Sequence, residues 1–347
     1  MENNKPVIGI TMGDPAGVGP EIAVKALGSH TAFDQCSPLV IGDAKVIRSC
    51  IADMGLALQV NPVHDISSAG FQPGTIDVYD LNNVDMSALE PGEVSAMAGN
   101  AAFEAVTTAI QLALDNKIDA TVTGPIHKKA INEAGHYFSG HTEIYAHYTG
   151  TRRYAMLLVD GNFRVAHIST HVSLRQACDL VKKERILDVI QLLDTGLRQM
   201  GIRNGKIGVA GLNPHAGDAG LFGDEEEKEI IPAIKEAVKL GFNVEGPVPP
   251  DTMFTKAVTG YYDGCIAMYH DQGHIPFKLA GFKWNNDAKK MESVKGVNIT
   301  LGLPVIRTSV DHGTAFDIAG RDLASADAML LAIDYAIRLA STKKNNR

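Results

Sequence analysis

Short, mostly apolar, β-branched runs alternate along this chain with longer stretches of helical periodicity, and that alternation restricts the fold more than any other feature. Residues 7–12 (VIGITM), 39–41 (LVI), 120–123 (ATVT) and 264–268 (GCIAM) are too short for helices and lack the polar face of a half-solvated strand. Runs of this kind fill the middle of parallel sheets covered on both sides. Between them, residues 44–54, 92–116, 182–200, 224–240 and 322–340 carry apolar side chains at helical spacing. The rhythm is βαβ, which predicts an α/β fold around a mostly parallel sheet. One interruption makes the sheet mixed: residues 154–159 and 163–168 flank Asp160-Gly161-Asn162, an Asx-Gly turn that closes a hairpin.

A chain of 347 residues with 45% hydrophobic content can bury a large core and divides most naturally into two lobes. Its net charge of -8 and its lack of a basic stripe argue against a nucleic-acid partner, because phosphate affinity needs clustered Lys and Arg. No apolar run approaches the roughly 18 residues of a membrane span. Residues 1–14 enter a strand at once, without the features of a signal peptide. Cys36, Cys50, Cys178 and Cys265 form no CxxC pair, so they are expected reduced and buried, and the expected compartment is the cytoplasm.

The candidate chemistry sits where strands end. Residues 263–278, DGCIAMYHDQGHIPFK, read as a buried strand running into a polar loop with Tyr269, His270, Asp271 and Gln272. There Gly273 relaxes the backbone, Pro276 blocks a helix and Lys278 adds a positive charge. His171 follows the strand at 163–168, and His215 follows the strand at 208–210 within GLNPHAG. Three neutral imidazoles are good ligands for a divalent first-row metal, although with twelve histidines in the chain, loop residues are an equally simple reading. Residues 246–252, GPVPPDT, form a rigid loop that can hold Asp251.

Other segments keep two readings. The loop Gly13-Asp14-Pro15-Ala16-Gly17-Val18-Gly19 leads into a helix with Pro20 in its first turn and Glu21 at the positive end of its dipole. It matches neither GxGxxG nor a Walker A loop, so it is structural or binds an unspecified ligand. His127, Lys128 and Lys129 either meet an anion at a helix start or form a solvated basic face. His141 is a loop histidine or a ligand contact, with Thr142 or His141 itself capping the next helix. The acidic opening at Asp224, Glu225, Glu226 and Glu227 suits its helix dipole. Residues 282–295, with the single tryptophan, read as a polar surface insertion.

Taken together, GDPAGVGPE (13–21), TGPIHKKAI (123–131), GHTE (140–143), STHVSLR (169–175), GLNPHAG (211–217), DTMF (251–254), YHDQG (269–273) and GVNITLGLPVIRTSVDHGTAFDIAG (296–320) resemble the 4-hydroxythreonine-4-phosphate dehydrogenase family along nearly the whole chain. The resemblance implies an isocitrate/isopropylmalate-dehydrogenase-like fold, two-lobed α/β/α with a mostly parallel mixed sheet. Residues 1–125 with 300–347 would form the cofactor lobe, and 126–299 the lobe of metal ligands and dimer interface. It implies a homodimer with shared active sites that uses NAD and a divalent metal (zinc, magnesium, manganese or cobalt). The family's metal ligands match His171, His215 and His270, one of them from the partner subunit. Its contacts to a phosphorylated small-molecule acid match His141, Thr142, Lys278, Asn298 and Arg307. The loop with His312, Gly313, Thr314, Ala315 and Asp317 resembles the superfamily's HGSAPDIAG cofactor loop.

The family's reaction oxidises the 3-hydroxyl of a 4-phosphorylated acid, after which the β-keto acid loses carbon dioxide. Asp251 and Asp271 are then candidate orienters or proton carriers, with Lys128 a further candidate, and the general base stays open. Two departures bear on the substrate. After YHDQG the pyridoxal-phosphate branch has an apolar Leu-Pro pair where this chain has His274-Ile275-Pro276, and residues 282–295 lengthen the segment between Lys278 and Asn298. Both resemble the branch that converts 4-phospho-D-threonate or 4-phospho-D-erythronate to dihydroxyacetone phosphate; 4-hydroxythreonine-4-phosphate dehydrogenase is the alternative. From another class, phosphate acyltransferases share a related fold, but they have no use for three aligned histidines or for the HGTAFDIAG loop.

Overall fold

In the computed structural model, which describes residues 5–29, 31–286, 290–294 and 296–345, the contacts divide the chain into two units. One is Met1–Thr151 with Leu303–Arg347, the other Arg152–Gly302. In chain order the first unit contributes β1 (Val7–Thr11), α1 (Gly19–Gly28), α2 (Thr31–Gln35), β2 (Ser37–Gly42), α3 (Ala44–Asp53), β3 (Gln59–Val63), β4 (Thr75–Asp80), α4 (Ala96–Leu114), β5 (Ala120–Thr123), α5 (Lys128–Glu133) and α6 (His141–Tyr148). The second holds β6 (Ala155–Asp160), β7 (Phe163–His167), α7 (Leu174–Asp179), α8 (Lys183–Gln199), β8 (Ile207–Ala210), α9 (Ile231–Lys239), β9 (Val244–Val248), α10 (Pro250–Val258), β10 (Gly264–Ala267), α11 (His270–Gly281), β11 (Phe282–Asn285), β12 (Lys290–Val294) and β13 (Val297–Leu301). The chain then returns to the first unit with β14 (Arg307–Val310) and α12 (Asp327–Asn345).

The strands of the first unit run β3-β4-β2-β1-β5-β14, all parallel. Ile8, Ile10, Leu39, Ile41 and Val122 are fully buried, as expected for strands covered on both faces. Each such side chain contributes roughly 1.5–3 kcal/mol through burial. β3, QVNPV, escaped the sequence reading because it is an edge strand that tolerates Pro62 and needs no apolar alternation. The unit extends past residue 125, because Ile131, Ile144 and Tyr145 close the same apolar cluster as Phe103, Val106 and Ile110. The cap of α6 is Gly140, and neither His141 nor Thr142 makes a capping bond.

In the second unit the order is β13-β6-β7-β10-β8-β9. β13–β6 and β6–β7 are antiparallel, which bears out the hairpin, and β7, β10, β8 and β9 are parallel. The carboxyl ends of those four strands therefore share one edge. Two expectations there need correction. The segment after β10 is no loop: α11 starts at His270 and runs through Pro276. The inner face of α11 buries Phe277 and His274, and this outweighs the cost of an internal proline, about 3 kcal/mol. Likewise β9 reaches Val248 and α10 starts at Pro250, so Asp251 lies in a first helical turn, where proline is tolerated. Residues 282–295 include the antiparallel ribbon β11–β12, while 287–289 and 295 lie outside the described residues.

All four cysteines are free; Cys36, Cys50 and Cys265 are buried and Cys178 is partly exposed. Among the described residues no helix is long and apolar enough to cross a membrane.

Asp14, in the turn between β1 and α1, is wholly buried. Its Oδ1 accepts the Ala16 N–H at 2.9 Å, while Oδ2 has no hydrogen-bond partner. Burial pushes its carboxyl up to about 6, against that one backbone bond. The folded state thus holds this proton more tightly than the unfolded chain. Stability from the group is complete below about pH 4 and is lost as pH rises through 6. Asp14→Asn should therefore gain on the wild type by about 2–3 kcal/mol between pH 4 and pH 7, read from paired thermal melts. A difference that is flat across that range would refute the assignment.

Candidate active site

The strand order β7, β10, β8, β9 sets out His171, His270, His215 and Asp251 in that sequence along one sheet edge of the second unit. His171 and His270 come from neighbouring strands, and their ring centroids are 5.9 Å apart. His270 Nδ1 donates to Asp271 Oδ1 at 2.6 Å, which in the neutral ring leaves Nε2 as the acceptor. An imidazole held by a carboxylate through one nitrogen and open at the other is the usual arrangement of a metal-binding histidine. His215 lies apart from this pair, 6.4 Å from the Phe222 ring. Among the described residues no three His, Cys, Asp or Glu side chains are close enough to hold a metal. One chain thus joins two of the three expected ligands.

The position of His215 is enforced at a cost. His215, Ala216, Gly217, Asp218, Ala219 and Gly220 all have positive φ, four of them without being glycine. Such residues cost on the order of 1–3 kcal/mol each, and surrounding contacts must impose them. Glu226 anchors the chain just before this run. It is 2% exposed, and its carboxylate accepts the backbone N–H of Leu212 and of Asn213 and the Asn213 side-chain amide, each at 2.8 Å. The acidic run is thus partly a loop anchor as well as a helix opening. Gln272 ties the same loop to β10: its Nε2 donates to the Gly211 carbonyl at 2.8 Å and its Oε1 accepts the Met268 N–H at 2.7 Å. His215, Asp251 and Asp271 then line one groove of about 740 Å³ with apolar walls from α10 and α11.

The first unit holds a second polar centre. Arg307, at the start of β14, is 2% exposed, and its Nε and one terminal nitrogen donate to Thr123 Oγ1 at 3.2 and 2.9 Å. Its guanidinium carbon lies 5.7 Å from the Tyr145 ring, and Tyr145 donates to Thr121 Oγ1 at 2.9 Å. Burial lowers Arg307 to about 10, so it stays protonated at neutral pH. His141 opens α6, with Thr142 buried next to it. Burial, and then the charge of Arg307, drive His141 well below the usual histidine range, against one backbone hydrogen bond involving Gly124. Its Nε2 is buried and has no hydrogen-bond partner. A buried cation, a neutral imidazole and a helix amino terminus together suit a small anion.

In the same unit the two glycine loops interlock. Val18 N–H donates to the Thr314 carbonyl at 3.0 Å, and the Gly320 N–H donates to the Glu21 carboxylate. A Cβ on Gly17 would sit 3.0 Å from Thr314. Phe316 stacks on His127 with centroids 4.8 Å apart. Thr314 is buried and Ala315 has φ 44°, while Gly313 and Asp317 are exposed, and His312 Nδ1 lies 2.9 Å from the Gly313 carbonyl. Lys128 is exposed at the start of α5. In the second unit Lys278 Nζ lies 5.4 Å from the Phe282 ring centroid, and Asn298 on β13 is 8% exposed with an unpartnered Oδ1.

Sequence reading passed over Thr121, Thr123 and Tyr145 around Arg307, as well as Glu226. None carries a local signal, because each acts on a residue distant in the chain. His274 had a signal, the departure after YHDQG. The structure places it inside: 7% exposed, stacked on His270 with ring centroids 3.7 Å apart, and lowered to about 4 by burial and then by His270.

Polar side chains at the carboxyl edge of a mixed, mostly parallel sheet are the arrangement of α/β proteins that bind ligands at that edge, and Arg307 adds a buried cation. Comparison with known proteins specifies the family. The model described as "Pyridoxal phosphate biosynthetic protein PdxA" matches residues 34–336. A protein of Oceanobacillus iheyensis named "Putative D-threonate 4-phosphate dehydrogenase" is 48% identical over 98% of this chain and 100% of its own length. A Clostridium botulinum protein of the same name is 45% identical, covering 97% and 98%. The crystal structure of 4-hydroxythreonine-4-phosphate dehydrogenase from Klebsiella pneumoniae matches with TM-score 0.84 and 43% identity, over 97% of this chain and 100% of that one. The chain belongs to the PdxA family. It is an oxidoreductase with the expected isocitrate-dehydrogenase-like α/β fold.

Glu226→Ala leaves two backbone N–H groups of the His215 loop without an acceptor, at about 1–3 kcal/mol each. The variant should melt several degrees lower and be cut faster by protease between residues 211 and 223. Wild-type cleavage rates would show that Glu226 does not hold the loop.

Proposed function

We propose that this protein oxidises the 3-hydroxyl of a 4-phosphorylated 3-hydroxy acid with NAD and a divalent metal, and that 4-phospho-D-threonate or 4-phospho-D-erythronate is the substrate. The observation that carries the reading is the pairing of buried, protonated Arg307 with a neutral His141 whose Nε2 has no internal partner. Beside a buried guanidinium, an open imidazole nitrogen calls for a hydroxyl or a protonated oxygen, such as a phosphorylated hydroxy acid offers. Relatives with D-threonate 4-phosphate in their names, covering the chain end to end, supply the acid.

Roles follow from the chemistry of each group. Arg307 grips a carboxylate or phosphate through two N–H groups, and Thr142 and the amino terminus of α6 add donors. Lys278 supplies a second positive charge, and Asn298 can accept from a substrate hydroxyl through its open Oδ1. Residues 312–317 hold the adenosine side of NAD, with the β1–α1 loop packed behind them. His171 and His270 would hold the metal, completed by His215 from a second copy, and the metal would supply Lewis-acid stabilisation of negative charge on the substrate oxygen. Asp271 orients His270, while Asp251 and Lys128 are candidates to carry the hydroxyl proton. In balance, the C3–H hydride goes to NAD and the hydroxyl proton to a protein base, leaving a ketone. Carbon dioxide then departs, its bonding pair forms the enolate, and a proton returns to carbon to give dihydroxyacetone phosphate.

A homodimer fits the groove between α10 and α11, where Val258, Ile275 and Leu279 are 48%, 64% and 82% exposed. A second substrate reading, 4-hydroxythreonine-4-phosphate, is favoured by the Klebsiella pneumoniae likeness. Purified protein with NAD and Mg²⁺, Mn²⁺, Zn²⁺ or Co²⁺ should produce NADH with 4-phospho-D-threonate or 4-phospho-D-erythronate faster than with 4-hydroxythreonine 4-phosphate. The reverse order selects the second acid, and no NADH with any of them rejects the reading. Arg307→Lys should raise KM at least tenfold, since a single point charge replaces a two-pronged grip.

A further inference from the structure

His270 opens α11, and His274 follows it one helical turn later, so the two side chains share a helix face. Their rings stack with centroids 3.7 Å apart and 10° between planes. His274 Nδ1 lies 3.0 Å from the His270 carbonyl, where it can only donate. Beneath His274 is His167, at the end of β7, 1% exposed, with ring centroids 4.7 Å apart. The space for His167 exists because residue 273 is glycine: a Cβ there would stand 2.3 Å from His167 Nε2. Gly273 therefore admits a ring, in place of the backbone freedom expected from the sequence. The result is a row of three imidazoles from the sheet core to the candidate site, with His270 last and 5.9 Å from His171.

We propose that His274 is a positioning residue. Stacked on His270 from below and backed by His167, it fixes the plane of the His270 ring, so that Asp271 takes Nδ1–H and Nε2 is presented outward as an acceptor. This rests on the reading of His270 as a metal-binding group. An imidazole at a helix start can rotate about its last side-chain bond. The exposed Asp271 alone is a weak brake, because its carboxylate is 69% exposed and can follow the ring. A parallel ring held from beneath restricts that rotation. Leucine at 274 would fill similar volume but offers neither a flat face nor an N–H for the His270 carbonyl. That residue choice would then separate this chain from relatives with an apolar pair after YHDQG by how firmly the site is held.

Two measurements on full-length protein test this. In the metal-free state, ¹⁵N-histidine spectra should show His270 as a single Nδ1–H tautomer. His274→Leu should broaden it or mix the two tautomers, and His274→Phe, which restores a flat ring, should recover most of the wild-type signal. In titrations with Co²⁺ alone, His274→Leu should bind about 10–100-fold more weakly, with His274→Phe in between. Wild-type His270 resonances in His274→Leu would overturn the proposal, as would a wild-type signal that already mixes tautomers. If the wild type binds no divalent metal, the metal reading of His270 fails, yet the metal-free spectra still decide the role of His274. If His274→Leu does not fold, His274→Asn with His274→Phe decides it by the same spectra.

Discussion

One buried amide sets the geometry of the second unit. Gln272 donates to the Gly211 carbonyl at 2.8 Å and accepts from Met268 N–H at 2.7 Å, so it closes the ends of two neighbouring parallel strands with its two polar atoms. Loss of either bond would leave a backbone group unsatisfied in the interior, at about 1–3 kcal/mol. The loop carrying His215 and the helix carrying His270 depart on either side of this bridge. Glu226 holds that loop from the other side, and α11 turns its inner face toward β7 and β10. The His215 loop and the start of α11 are therefore set by buried hydrogen bonds between other residues.

Stability is sacrificed at the places where chemistry is proposed. The run from His215 to Gly220 keeps left-handed backbone at non-glycine residues. Arg307 keeps a charge where burial disfavours it, and its neighbour His141 is held neutral by burial and by that same charge. Apolar packing gains nothing from any of these. A chain selected for stability alone would place an alkyl side chain at 307 and a glycine at 215.

Much of the frame was legible because it is local. Most strands recognised in the sequence announce themselves by a short, mostly apolar, β-branched run, and the hairpin by Asp160-Gly161-Asn162. The strand-end histidines were legible for the same reason. Misreadings arose where tertiary contacts overrule local chemistry. Pro276 argues against a helix, yet burial of Phe277 and His274 sustains one; β3 has no alternation and is held by pairing with β4. Glu226 looks like one acid in a solvated run until its backbone partners, over ten residues back, are seen.

By itself the sequence determined the alternation of strand and helix, the hairpin at residues 154–168, the acidic balance, and the family through its ordered motifs. These depend on residue type and spacing within a few positions, where side-chain size and backbone preference act. Only the tertiary structure decided which imidazoles meet, that His274 faces inward under His270, and that Thr123 and Tyr145 enclose Arg307. Those outcomes depend on strand order and on the burial of polar groups far apart in the chain, and no local preference encodes either.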